Sequence, residues 1–201
     1  LIENGQVAPD AVARFTALFE RLNLPLSELQ TLTRQLQAAI AASTSATGQA
    51  ADASKSKAPL LAQQTNQLIW MGLSPGTLAV LENHITVLPE NTPVNLNTAS
   101  AEVLAACIPE LSLTSACQAI DQRQRNHWVS LDAARTALGP AGRHLNEKQH
   151  GIQSRYFEVL GRMRIDNVVQ QERVLLKRDG SQVRMLWRTK MPPQRTSPPL
   201  Q

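Results

Sequence analysis

Aromatic residues make up only 3% of this 201-residue chain, so its core has to be built mainly from Leu, Val, Ile and Ala. Long apolar runs are missing too: no stretch approaches the roughly 20 residues needed to cross a bilayer as a helix. The chain starts at Leu1 rather than Met, and no charged-then-apolar leader pattern follows, so it reads as a piece of something longer. Cysteine is limited to Cys107 and Cys117, and nothing nearby supplies the two further ligands that a zinc site would want. A disulfide between Cys107 and Cys117 and a pair of buried free thiols both remain open, and the count does not fix the compartment. The four histidines, His84, His127, His144 and His150, show no metal-ligand spacing. His144 and His150 share a connector with Glu147, where such residues gather by chance. No serine-nucleophile motif, phosphate loop or carboxylate pair stands out, so an enzyme is not expected and no catalytic, cofactor or metal residue is assigned.

What is present is 42% hydrophobic content, enough for one large domain or two small ones. The net charge of +4 is unevenly placed. Residues 151–201 carry ten Lys/Arg against four Asp/Glu, whereas residues 1–150 carry ten against twelve. Such asymmetry fits a nucleic-acid face, but a strand surface with Arg turned to solvent is the favoured reading.

Periodicity divides the chain. Val12, Phe15, Phe19 and Leu22 share one helical face that Pro25 should terminate, and Leu29, Leu32, Leu36 and Ile40 form a second stripe. Residues 43–58 are small and polar without period, the pattern of a flexible linker. Helical signals return at 60–71, and Ser74-Pro75 is a helix start with Leu78, Leu81 and Ile85 inward. Residues 93–138 predict a cluster of three short helices. Thr98, Ser112 and Ser130 are placed to cap them, with Glu102 and Asp132 in first turns where the helix dipole favours an anion. From Gly151 the period becomes two. Phe157, Val159, Met163 and Ile165 occupy one face of a strand and Arg162 and Arg164 the other. A second strand over 169–177 leads to the Asp179-Gly180 turn. In a third, Val183, Met185 and Trp187 alternate with Arg184 and Arg188. The expected product is an antiparallel meander over 151–190 with one wet face, then a disordered tail at 191–201.

The signature at 95–105 resembles two families, which share an N-x-N-T-A opening. One is the helix-hairpin-helix group, including competence DNA receptors, which makes a DNA-binding protein the alternative reading. Its hairpin turn needs glycines so that backbone N–H groups can approach phosphate. This chain has Pro109-Glu110-Leu111-Ser112-Leu113 there, with an anionic Glu110 and no glycine, although Arg123 and Arg125 lie nearby. The other is the minor pseudopilin of type II secretion, the general secretion pathway protein K family. LPENTPVNLNTAS at 88–100, WVSLDAA at 128–134, RYFEVLGRMRI at 155–165 and VRMLWRT at 183–189 are similar to that family in the same order. The resemblance implies an α+β protein, with a pseudopilin-type antiparallel β-sheet and a large inserted α-helical domain (helix-hairpin-helix or SAM-like) over 8–150. The first strand of that sheet is expected before residue 1 or near residues 1–7.

It also implies a non-catalytic component near the tip of the pseudopilus, on the periplasmic side of a Gram-negative inner membrane. There it would help initiate and cap assembly for protein export, in association with minor pseudopilins I and J and without nucleic acid. The family's hydrophobic N-terminal helix is absent from these residues. Calcium binding is a family property, but the acidic D-W-x-D-x-D segment is also absent and Asp52 is the only acid of the linker. In an assembly protein, apolar residues left outside the folded core would be the sign of its contacts.

Overall fold

The computed structural model describes residues 1–3, 5–45, 59–165 and 168–195. The chain divides into two units, Leu1–Ile152 and Gln153–Gln201.

The first unit opens with a small antiparallel hairpin, β1 (Ile2–Glu3) against β2 (Gln6–Val7). These residues therefore do not add a strand to the C-terminal sheet, contrary to one of the two expected positions. Helix α1 (Pro9–Arg21) starts at a proline, whose fixed φ suits the first turn. It buries Ala11, Leu18 and Phe19, with Phe15 and Leu22 packed alongside. The helix stops before Pro25 because Asn23 enters the left-handed region at φ 58°, and the Leu24 N–H closes on the Phe19 carbonyl at 2.8 Å. Helix α2 (Leu26–Ser45) buries Leu29, Leu32, Leu36 and Ala39, so the stripe turns onto Ala39 and leaves Ile40 half-buried. It also continues through the first residues of the stretch read as a linker; residues 46–58 lie outside the described residues.

The helix expected from residue 60 begins only at Thr65, as a 3₁₀ turn to Met71. The Gln67 side chain accepts the N–H groups of Gln63 and Gln64 and so fixes its start. Helix α3 (Pro75–Leu81) follows, capped as expected by the Ser74 hydroxyl on the Thr77 N–H. Phe19, Leu32, Met71 and Leu81 are the fully buried centre of this first core.

A second core is built on β3 (Val94–Asn95), α4 (Ala101–Cys107), α5 (Leu113–Arg125), α6 (Leu131–Ala137), a 3₁₀ turn (Gly139–His144) and β4 (His150–Gly151). Strands β3 and β4 pair in parallel, which brings the end of the unit back to its opening motif. Leu96, Leu104 and Ile108 are fully buried, and Ala105, Ala116, Ala119 and Ala134 let the short helices approach closely. Leucine and alanine thus supply most of this core, as the scarcity of aromatic residues demands. Ser112 and Ser130 cap α5 and α6 as expected. Ser100, not Thr98, caps α4: the N–H groups of Thr98 and Ala99 both return to the Asn95 carbonyl, and this turn delays the helix.

The second unit is a three-stranded antiparallel meander, β5 (Tyr156–Ile165), β6 (Val168–Asp179) and β7 (Gln182–Arg195). Gly180 makes the β6–β7 turn at φ 62°. The alternation is as expected, and Arg162 and Arg164 are exposed, but the apolar face opposite them is exposed too. Phe157, Val159 and Met163 are exposed, while Tyr156, on the same side as Arg162 and Arg164, is buried together with Val169 and Leu175. The third strand departs from simple alternation. Leu176 pairs with Met185 but Leu175 pairs with Trp187, leaving Leu186 as an extra residue in a β-bulge. Trp187 consequently lies on the opposite face from Val183 and Met185. Strand β7 also runs on to Arg195, so Met191, Gln194 and Arg195 of the expected disordered tail are paired; residues 196–201 lie outside the described residues.

Candidate functional site: the helical hairpin and exposed apolar surface

The motif at 95–98 is an internal joint. The Asn95 side chain accepts the Asn97 N–H at 3.1 Å, an Asx turn that aims Asn97 inward. Asn97 then donates from its Nδ2 to the carbonyls of Trp128 (2.9 Å) and Ile152 (3.1 Å), while its Oδ1 accepts the Trp128 N–H (3.0 Å). Arg123 is not available to a phosphate, because its guanidinium donates to the carbonyls of Leu96 and Ala99. Arg125 is exposed at the end of α5.

The α4–α5 turn places Glu110 in the left-handed region at φ 65°, the conformation that glycine adopts at least cost. Its carboxylate accepts from Arg143 at 2.6 Å and lies 3.4 Å from the His144 ring. The Arg143 guanidinium holds the Glu110 carboxyl below the usual carboxylate range, so an anion occupies the turn where a phosphate would have to approach. Asn97 and Arg143 were not assigned roles from sequence. The second Asn of N-x-N could have signalled a clamp, but nothing local marks Arg143, 33 residues from its partner.

His144 meets Glu110 and not Glu147. His84 Nδ1 lies 3.0 Å from the Ser100 hydroxyl, His127 is exposed, and His150 is buried. The cysteines considered for a disulfide are free: Cys107 is partly buried on α4 and Cys117 is exposed on α5. Burial pushes the Cys107 thiol pKa up and keeps it protonated. Among the described residues, no three His, Cys, Asp or Glu side chains come together to hold a metal ion.

Several large apolar side chains stand outside both cores. In the first unit Trp70 is 68% exposed and Val129 72% exposed. In the second, Phe157, Val159, Met163, Val183 and Met185 are exposed on one sheet face, which also carries the Glu172–Arg188 ion pair and Lys190, with the Arg178 guanidinium 5.3 Å from the Phe157 ring centre.

Comparison with known proteins assigns this arrangement. Residues 1–90 and 94–153 match two successive family domains, both described as type II secretion system protein K, and together they cover most of the chain. The chain belongs to the type II secretion system protein K family. A relative of that name from Pseudomonas aeruginosa is 28% identical over 169 residues, which is 80% of this chain and 50% of the relative. The chain therefore spans about half the length of the curated protein K that it matches. Within this member of the protein K family the N-x-N-T-A opening works as a clamp inside the helical unit. Among its described residues no helix is long and apolar enough to cross a membrane.

Proposed function

We propose that this chain is part of a non-catalytic minor pseudopilin. In this reading it acts on the periplasmic side of the inner membrane, at the tip of the type II secretion pseudopilus, where it helps initiate and cap assembly together with minor pseudopilins I and J. Membership of the protein K family supports a role in type II secretion. The observation that carries the assembly reading is the exposed apolar sheet face of Phe157, Val159, Met163, Val183 and Met185. Large apolar side chains in contact with water are unfavourable, and a stable protein contact removes them from it. The helical hairpin supports the same reading, because its turn carries Glu110 bound to Arg143 and its Arg123 is used internally.

The test is size-exclusion chromatography with light scattering of this chain mixed with its cognate minor pseudopilins I and J. A co-eluting one-to-one-to-one complex is expected. No complex, with a longer protein as well as with this chain, would overturn the assembly reading. Binding to duplex DNA that weakens steeply with added salt would instead support the helix-hairpin-helix alternative.

A further inference from the structure

The segment that closes the helical unit is fastened through one buried histidine. His150, on β4, is only 2% exposed. Its Nδ1 accepts the Asn146 N–H at 3.2 Å, which fixes the neutral tautomer with its proton on Nε2. Nε2 is buried facing the Cys107 backbone, without a well-formed hydrogen bond. The turn that His150 closes is tight: the His150 N–H returns to the Asn146 carbonyl at 2.9 Å, and the Asn146 side chain accepts the Gln149 N–H. From this turn a strap reaches the opening motif. The Gln149 and Gly151 carbonyls accept the N–H groups of Val94 and Leu96, both at 2.8 Å, and the Ile152 carbonyl accepts from Asn97.

We propose that His150 is a proton-sensitive latch, which holds residues 146–152 against the 94–97 motif when neutral and releases them when protonated. A protonated ring carries a donor on Nδ1, where the Asn146 N–H already points, so that hydrogen bond has to break. The charged and titratable surroundings also disfavour a cation. Arg14 of α1 acts on the site with its own positive charge and is only loosely paired to Glu3 at 3.8 Å. The Cys107 thiol at the end of α4 is neutral, and Glu147 and Lys148 of the turn are exposed. Burial is the largest influence on His150 and lowers its pKa, Arg14 lowers it further, and the backbone groups of Cys107 and Asn146 offset part of this. The proton is therefore accepted when the ring leaves its site, and the strap leaves with it.

The test is amide hydrogen exchange of the 201-residue chain between pH 7 and pH 4.5, read as protection relative to each amide's intrinsic rate. If opening takes up one proton, protection at Val94 and Leu96 falls by up to about tenfold per pH unit below about pH 6.5. Leu32 and Leu36 of α2 should keep their protection over the same range. His150→Phe should make exchange at Val94 and Leu96 independent of pH. Unchanged protection in the wild type, or the same acid loss in His150→Phe, would overturn the latch. Should that variant not fold, the ring of wild-type His150 followed by NMR decides: a midpoint below that of a free histidine is expected, and one at or above about 6.5 refutes the proposal.

Discussion

Replacing Asn97 by alanine tests the central structural claim, that the motif at 95–98 is a joint. The side chain makes three hydrogen bonds, so truncation orphans the Trp128 N–H and the carbonyls of Trp128 and Ile152. A buried group left without its partner costs about 1–3 kcal/mol. Asn97 is only half-buried and water reaches part of the site, so the lower end applies, about 3 kcal/mol in all. Against a typical stability of roughly 5–15 kcal/mol this is a large fraction. With urea slopes of about 1–3 kcal/mol per molar, the helical circular-dichroism midpoint should fall by roughly 1–3 M. Asn97→Asp keeps the acceptor for the Trp128 N–H but turns a carboxylate oxygen toward two carbonyls, so it should do no better than alanine. Asn95→Ala loses only the bond to the Asn97 N–H and should cost about 1 kcal/mol. A loss below about 1 kcal/mol in Asn97→Ala, or an equal loss in Asn95→Ala, would refute the reasoning.

Three further outcomes are expected. In Gly142→Ala the new Cβ would lie 2.2 Å from the Arg135 carbonyl oxygen of α6; backbone cannot yield cheaply, so the melting temperature should drop sharply and the second core should loosen. Glu110→Gly relieves the left-handed backbone while losing the Arg143 contact, whereas Glu110→Ala loses the contact and keeps the strain. The glycine variant should therefore melt above the alanine variant, and the reverse order would show that the turn is not strained. Glu28 accepts the Ser74 N–H at 2.8 Å, and although burial pushes its pKa up, the hydrogen bonds from Ser74 and Thr77 outweigh this and hold it low. Its folded pKa lies below its unfolded value, so the stability it contributes is present above about pH 4.3 and is lost as pH falls through the folded pKa. Glu28→Gln should flatten that acid limb in urea midpoints measured between pH 5 and pH 3, and an unchanged slope would remove Glu28 from the account.

Local signals were readable from the residues alone. Ser74, Ser112 and Ser130 begin helices because a hydroxyl followed by free N–H groups is a self-contained cap, and Asp179-Gly180 turns because glycine allows a positive φ. Thr98 is not the cap because its hydroxyl and the N–H groups of residues 98 and 99 all turn back to the Asn95 carbonyl, and the helix starts later, behind Ser100. The alternation of β5 was legible, and so was its exposed Arg162 and Arg164 side, but the exposure of its apolar side was not. Phe157, Val159 and Met163 look like core residues in sequence, and only the folded chain shows that they meet solvent. The pairings that make the hairpin a closed structure, Arg123 to Leu96 and Arg143 to Glu110, span 27 and 33 residues and leave no periodic trace.

Strand β7 reads like a message with one inserted letter. Up to Met185 the side chains follow one in-and-out frame, and after Leu186 they follow the other, so Trp187 and Arg188 point opposite ways from where the first half of the strand would send them. Deleting Leu186 alone would restore a single frame, with Trp187 still opposite Leu175 and every later residue on the face it already occupies. The inserted residue is what sets Trp187 on the face opposite Val183 and Met185, in a strand whose odd-numbered side chains would otherwise line up together.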